Sequence, residues 1–313
     1  MSSISNHYVK YSARLSLINE MASSEPEKMV REVEEAYHQT LEEIARQIFD
    51  GNYKMIMLAG PSSSGKTTTS HILTQNLERF GKAAHTVSLD DFFLGEGKAP
   101  VMEDGRHDFE SLEALNLPQM LECLSDLMGK SRCDMPVFNF EIGAPEPFTR
   151  PLVLGERDIV IIEGIHALNP YVSQNLPKER LLKLYISVKQ GICDEQGEII
   201  SAQELRFVRR MVRDYYFRAS SPENTLDMWQ NVCRGEQLNI QPFKRQADIT
   251  INSIHLYEPC LFRDYALPML ELIPEDHPQI VMIRRIREAL SRFCSISPSI
   301  LPSNSMLREF LKF

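Results

Sequence analysis

At 313 residues the chain exceeds one average domain, yet an α/β fold of this size can form a single decorated sheet. Its 43% hydrophobic content is that of an ordinary globular protein, and a formal net charge of -9 argues against a dedicated binder of nucleic acid or anionic membrane. Six cysteines with no C-x-x-C spacing, no signal-like apolar segment and no run near the ~20 apolar residues of a membrane span together predict a cytoplasmic protein with reduced thiols, no zinc site and no disulfide framework.

In chain order, residues 1–25 are polar and serine-containing, and Val30, Val33, Ala36, Leu41, Ile44 and Ile48 then recur at helical intervals from Pro26 to Ile48. The apolar run Lys54 to Ala59 predicts a strand, and Thr68 to Phe80 predicts a helix. Between them lies Gly60-Pro61-Ser62-Ser63-Ser64-Gly65-Lys66-Thr67, a complete phosphate-binding loop in the strand-loop-helix context such a loop requires. Its glycines let the backbone wrap a polyphosphate, Lys66 reaches the terminal phosphates, and the Thr67 hydroxyl can complete a magnesium shell. The chain is therefore expected to bind ATP or GTP.

Ala83 to Leu89 predicts a second buried strand ending on Asp90-Asp91, with Asp91 facing away from Asp90 if the strand persists. Gly95, Gly97, Pro100 and Gly105 mark 92–109 as an exposed loop, and Leu112 to Met128 predicts a helix. The proline-rich stretch from Gly143 to Pro151 is too broken for regular structure, whereas Asp158 to Ile162 and Leu182 to Val188 predict strands. Strands alternating with helices imply parallel βαβ units, which bind ligands at the carboxyl ends of their strands. Thr67, Asp90 and Glu163 all fall at or just beyond such ends.

Phosphoryl transfer needs a metal-bound polyphosphate, cations for the moving phosphoryl and a group that positions or deprotonates the acceptor. Asp90 is placed to accept the acceptor's proton, with a turn-capping role as the alternative; Glu163 is placed to hold magnesium, with a helix cap as the alternative. Arg206, Arg210 and Arg213 share one helix face, with Arg209 beside them and Arg218 beyond. Such a run is ordinarily a solvated face, but beside a phosphate loop it can close over ATP as an arginine lid. His107 and His166 lack paired metal-ligand spacing and are expected to be structural; Trp229, at helical spacing from Leu226 and Val232, is expected in the core.

These pieces stand in a familiar order: the phosphate loop, Ser88-Leu89-Asp90-Asp91-Phe92-Phe93, Asp108-Phe109-Glu110, Pro136-Val137-Phe138-Asn139-Phe140, Ile162-Glu163-Gly164-Ile165-His166 and Arg209-Arg210-Met211-Val212-Arg213-Asp214. The chain resembles the uridine kinase and phosphoribulokinase family of P-loop kinases, and is most similar to a bacterial uridine kinase-like branch. That branch likeness runs from about residue 30 to the end, through Arg234-Gly235-Glu236 and Leu307-Arg308-Glu309-Phe310; the extra N-terminal domain of longer members is not expected.

The resemblance implies an α/β three-layer P-loop fold with a mainly parallel sheet, an Arg-bearing helical lid and helical extensions at both ends. The expected division is 1–50, an N-terminal helical extension; 51–275, the kinase domain; and 276–313, a C-terminal extension. Leu301, Leu307, Phe310, Leu311 and Phe313 of that last segment would pack on the core or on a second copy of the chain.

The implied activity is ATP- and Mg2+-dependent phosphorylation of a nucleoside 5′-hydroxyl. Asp90 would be the base, Glu110 would bind ribose hydroxyls, and Phe93 and Phe138 would line the nucleoside pocket. Gly60, Ser62, Ser63, Ser64, Gly65, Lys66, Thr67, Thr68 and Arg218 would hold ATP. Arg210 and Arg213 would contact the phosphates, Arg210 also meeting the acceptor, and Thr67 and Glu163 would hold the metal.

Three positions depart from uridine-cytidine kinases: Phe138 replaces a tyrosine, Gly143 a base-contacting histidine, and Ser220 a second arginine. Losing the phenol and imidazole removes groups that read a pyrimidine edge. Another small hydroxylated acceptor, such as a sugar phosphate, stays open, as does a nucleotide-driven regulatory switch.

Overall fold

The computed structural model describes residues 13–95, 97–102, 105–139 and 142–312; Phe140, Phe313 and residues 1–12 lie outside the described residues. Helix α1 (Leu15–Ser24) buries Leu15, Ile18 and Ala22 from within the polar-looking N-terminal stretch. Helix α2 (Pro26–Asp50) opens with proline, where the missing N–H costs nothing, and seats Val30, Tyr37, Leu41, Ile44 and Ile48 in the core. Tyr37 takes the deep position that the periodicity gave to Ala36, and Glu34 is buried beside it.

Next come β1 (Met55–Ala59), α3 (Lys66–Arg79) and β2 (Ala84–Ser88). The helix expected from Leu112 begins as a 3-10 turn, breaks, and resumes as α4 (Leu117–Gly129). Pro118 forces the break, because it tolerates only the first turn of a helix, and the Asn116 side chain caps the new start by accepting from the Gln119 N–H. Short antiparallel strands follow: β3 (Arg132–Met135), β4 (Phe138–Asn139), β5 (Ala144–Pro145) and β6 (Arg150–Val153). The proline-rich stretch is therefore ordered, since Pro145 and Pro151 sit on ladders only two strands wide, β4 with β5 and β3 with β6, which leave a proline free of the donor it lacks.

The chain continues through β7 (Ile159–Glu163), α5 (Pro170–Ser173), β8 (Leu181–Ser187), β9 (Ile192–Cys193) and β10 (Glu198–Ile200). It ends with α6 (Ala202–Phe217), α7 (Pro222–Gly235), β11 (Ile249–Asn252), α8 (Glu258–Glu271) and α9 (Ile280–Ser291).

Five parallel strands form the central sheet in the order β11-β8-β1-β7-β2. Strand β1 is buried at every residue, and its side chains alternate between two cores: Ile56 and Leu58 face the layer of α2, α3 and α8, while Met55, Met57 and Ala59 face that of α4. Strand β2 is an edge strand, with His85 and Thr86 half-exposed, where the apolar run suggested full burial. Because all five strands run the same way, Ala59, Ser88, Glu163, Ser187 and Asn252 end along one rim. The chain leaves β1 in one direction for β7 and β2 and in the other for β8 and β11, which opens a crevice at that rim.

Trp229 lies in the core, with its ring 5.4 Å from that of Phe207. The terminal Leu301, Leu307, Phe310 and Leu311 pack into the same core as α2 and α8. Among the described residues no helix is long and apolar enough to cross a membrane.

Candidate active site

The phosphate loop leaves β1 at Gly60, where a Cβ would lie 2.2 Å from the Ile186 carbonyl oxygen, so the neighbouring strand admits only glycine. Gly65 has φ +87°, and Ser63 takes the left-handed region at φ +58°, which costs a side-chain-bearing residue about 1 kcal/mol. Helix α6 braces that strained loop. Arg206 Nη1 donates to Ser62 O at 3.2 Å, Arg209 Nη1 to Ser63 O at 3.3 Å, and Arg210 Nη1 to Ser62 Oγ at 2.6 Å. Lys66 Nζ reaches Pro61 O at 3.4 Å.

Two members of the expected lid thus have another job. Arg206 pairs with Glu236 (2.5 Å) at the wall of a cavity it shares with Lys189 and Lys244, and Arg209 is fully buried against Glu258; both hold the loop's shape. Helix α6 is buried on every side from Glu204 to Val212, a tertiary fact that arginine spacing alone does not carry.

Arg210, Arg213 and Arg218 converge on one carboxylate, Asp214, at 3.2, 2.8 and 3.7 Å. The motif Arg209 to Asp214 assigns Asp214 no role by itself; the Arg210-Asp214-Arg218 spacing of four is the sequence signal for it. Burial, with crowding by Arg213, pulls Arg218 down to about 10. Ser220, at the departed arginine position, accepts from Asn224 at 2.8 Å near the start of α7.

Asp90 lies in a 3-10 turn (Leu89–Phe92), not on an extension of β2, and Ser88 Oγ caps that turn by accepting from the Asp90 N–H at 3.3 Å. The alternation expected for Asp91 therefore fails: Asp91 instead accepts from the Phe138 N–H at 3.3 Å and ties β4 to the turn. Burial pushes the Asp90 carboxyl up, opposed by Lys66, Arg218 and Arg213. Glu163, buried at the end of β7 beside Ser88, is pushed up to about 7 by burial, against the pull of Lys66 and with the push of Asp90. Half-buried Glu110 also reaches about 7 through loss of solvent, opposed by Arg210 and Lys66. The sequence-predicted Lys66, Asp90, Glu110, Glu163, Arg210, Arg213 and Arg218 are thus one electrostatic cluster.

Phe93 and Phe138 pack edge to face at 5.6 Å, and Phe109, which sequence reasoning passed over, extends the aromatic surface at 6.0 Å from Phe93. The Gly143 carbonyl closes on Gly95, where a Cβ would meet it at 3.0 Å. Thr67 is exposed on the first turn of α3, and Thr68 donates its hydroxyl to Glu309 at 2.8 Å.

The residues fit a bound nucleotide and cation. Among the described residues the buried Ser63 and Ser64 hydroxyls have no hydrogen-bond partner, which a phosphate-cradling loop would find in its ligand. Among the described residues no group of three acidic, histidine or cysteine side chains could hold a metal by itself, so a cation here would be shared with phosphate oxygens and water, as magnesium prefers.

The sequence profile of the Phosphoribulokinase / Uridine kinase family matches residues 55–257, well over half the chain. The chain belongs to this family. It is similar to the uridine kinase of Staphylococcus haemolyticus, 26% identical over 201 residues that cover 64% of this chain and 87% of that one, and to the uridine kinase of Lactobacillus johnsonii, 25% identical over 198 residues that cover 63% and 85%. A solved structure of a possible uridine kinase from Bacillus stearothermophilus aligns at 17% identity with a TM-score of 0.45, over 67% of this chain and 96% of that one. This family member is a P-loop phosphotransferase that takes its phosphoryl group from ATP.

Proposed function

We propose that this kinase transfers the γ-phosphate of ATP to the 5′-hydroxyl of a nucleoside, in the cytoplasm and with magnesium. The observation that supports it is the grouping of Asp90 and Glu110, two desolvated carboxylates, with Lys66 and Arg210 beside an aromatic surface of Phe93, Phe138 and Phe109. A pure nucleotide switch has no use for a carboxylate aimed at an acceptor.

Glu110 would accept hydrogen bonds from the ribose hydroxyls, and the phenyl rings would take the base face. Asp90 would accept the proton of the attacking hydroxyl as its oxygen forms the new bond to the γ-phosphorus and the bond to the β-bridging oxygen breaks, releasing ADP. The upward shift of Asp90 makes it a better base than an ordinary aspartate. Arg210, Arg213 and Arg218, fixed as a set by Asp214, would carry positive charge to the transferring group. Magnesium, held by Thr67 and Glu163 with the phosphates, would supply further charge neutralisation.

The deciding experiment measures ADP formation with MgATP against a panel of ribo- and deoxyribonucleosides, sugars and sugar phosphates, with the product mass confirmed. Stimulation by a nucleoside with a matching monophosphate supports the reading, and Asp90→Asn should then lower transfer by ~10²-fold or more while ATP still binds. Stimulation by a sugar phosphate alone would move the acceptor class, a result that Phe138 and Gly143, which offer no side-chain hydrogen bond to a base, would accommodate.

A further inference from the structure

Glu110 lies outside any helix or strand, in the irregular stretch between β2 and α4, yet a group that reads a ribose diol must be held to within a fraction of an ångström. Its support comes from α7 and the π-helical turn Glu236–Ile240 that continues it. Arg106 Nη1 donates to Asp227 O at 3.0 Å, Asn231 Nδ2 makes a weak contact with Asp108 Oδ1 at 3.5 Å, and Asn239 Nδ2 donates to Glu110 O at 2.7 Å. Asp227, Asn231 and Gly235 follow one another at intervals of four residues along α7, on one face of the helix, and Asn239 lies four residues further on in the π-turn.

Gly235 is the closest approach. A Cβ there would lie 2.3 Å from Glu110 Cβ and 2.8 Å from Glu110 Cγ, so any other residue must displace the Glu110 backbone and not merely its carboxylate. Its φ of -58° and ψ of -42° are ordinary right-handed helix, open to every residue, so space and not conformation demands glycine. The next residue, Glu236, pairs with Arg206, which in turn donates to Ser62 O; the turn that supports Glu110 is thereby joined to the phosphate loop.

We propose that helix α7 and its π-turn set acceptor recognition, with Gly235 and Asn239 as positioning residues that hold Glu110 against the acceptor. The inference rests on the reading of Glu110 given above. The full chain is assayed with MgATP and varied nucleoside, using uridine, cytidine, adenosine, guanosine and inosine as probes, for Gly235→Ala, Asn239→Asp and Asn239→Gln. Asn239→Asp keeps shape and loses the donor, whereas Asn239→Gln keeps a donor.

The expected result is an acceptor KM raised ~10-fold or more in Gly235→Ala and Asn239→Asp, partial recovery in Asn239→Gln, and a KM for ATP within about twofold of wild type. On a Glu110→Ala background the Asn239→Asp effect should vanish, since both act on one group. Equal changes in both KM values, or additive effects with Glu110→Ala, would overturn the inference. If wild type phosphorylates none of the probes, the nucleoside reading falls by itself, and a crystal structure of Asn239→Asp decides the positioning claim. A Glu110 Cα displaced by about 1 Å or more would support it, and an unmoved one would sink it.

Discussion

The buried pair of Arg209 and Glu258 offers the sharpest test of how the phosphate loop is held. Arg209 Nε donates to Glu258 Oε2 at 2.6 Å, Nη2 to Ser253 O at 2.7 Å and Nη1 to Ser63 O at 3.3 Å, and the guanidinium lies 5.5 Å from the Phe310 ring centre. Arg209 is 0% and Glu258 1% exposed. Replacing Arg209 with methionine keeps much of the packing but strands Glu258 in the interior and removes donors from two carbonyls. Breaking one side of a buried pair costs about 3–5 kcal/mol, whereas replacing both sides by apolar groups is often near neutral. At about 2 °C per kcal/mol for a chain of this size, Arg209→Met should lower the Tm by ~6–10 °C in calorimetry. Arg209→Met with Glu258→Leu should recover more than half of that loss but not the ATP affinity, because Ser63 stays without its brace. A double variant as unstable as the single one would refute the account of a stranded carboxylate, and unchanged ATP affinity in both would refute the bracing of the loop.

Lys66→Ala should weaken ATP binding by ~10–100-fold in a calorimetric titration, the worth of one charge-assisted contact of about 1.5–3 kcal/mol; equal affinities would remove Lys66 from phosphate binding. Glu309→Gln should tighten ATP by ~2–5-fold, because the carboxylate at 2.8 Å from Thr68 Oγ1 and 3.4 Å from Thr68 N sets a negative charge beside the donors of the loop helix, and weaker binding in the variant would contradict this. Burial lowers His166 to about 4, below its ordinary 6.5, so the unfolded chain takes up a proton first as pH falls. Its stabilising contribution is complete above about pH 6.5 and is lost progressively towards pH 4, worth about 3 kcal/mol in all. His166→Leu should flatten denaturant-derived stability over that window, and an unchanged slope would count against it.

The phosphate loop was legible because its chemistry is local: eight consecutive residues, a strand before and a helix after, fix both backbone and ligand. The buried strands β1, β7 and β8 were legible for the same reason, since continuous apolar runs need no partner to announce themselves. The roles of the α6 arginines were not. Arg206, Arg209, Arg210 and Arg213 are one residue type at helical spacing, and only the packing of α6 divides their work: Arg206 and Arg209 hold loop carbonyls, Arg210 holds the Ser62 hydroxyl and pairs with Asp214, and Arg213 pairs with Asp214 without a hydrogen bond to the loop.

Asp91 likewise looked like the neighbour of Asp90 on a strand, until the 3-10 turn sent it to the Phe138 backbone. The order of strands, the pairing of the proline-rich stretch and the docking of the C-terminal leucines on the core all depend on contacts between residues far apart in the chain. Local propensity carries no information about such partners. Gly235 shows the limit most clearly: in sequence it is a helix-weakening residue near the end of a helix, and its reason, the Cβ of Glu110 more than a hundred residues earlier, exists only once the chain has closed around the crevice.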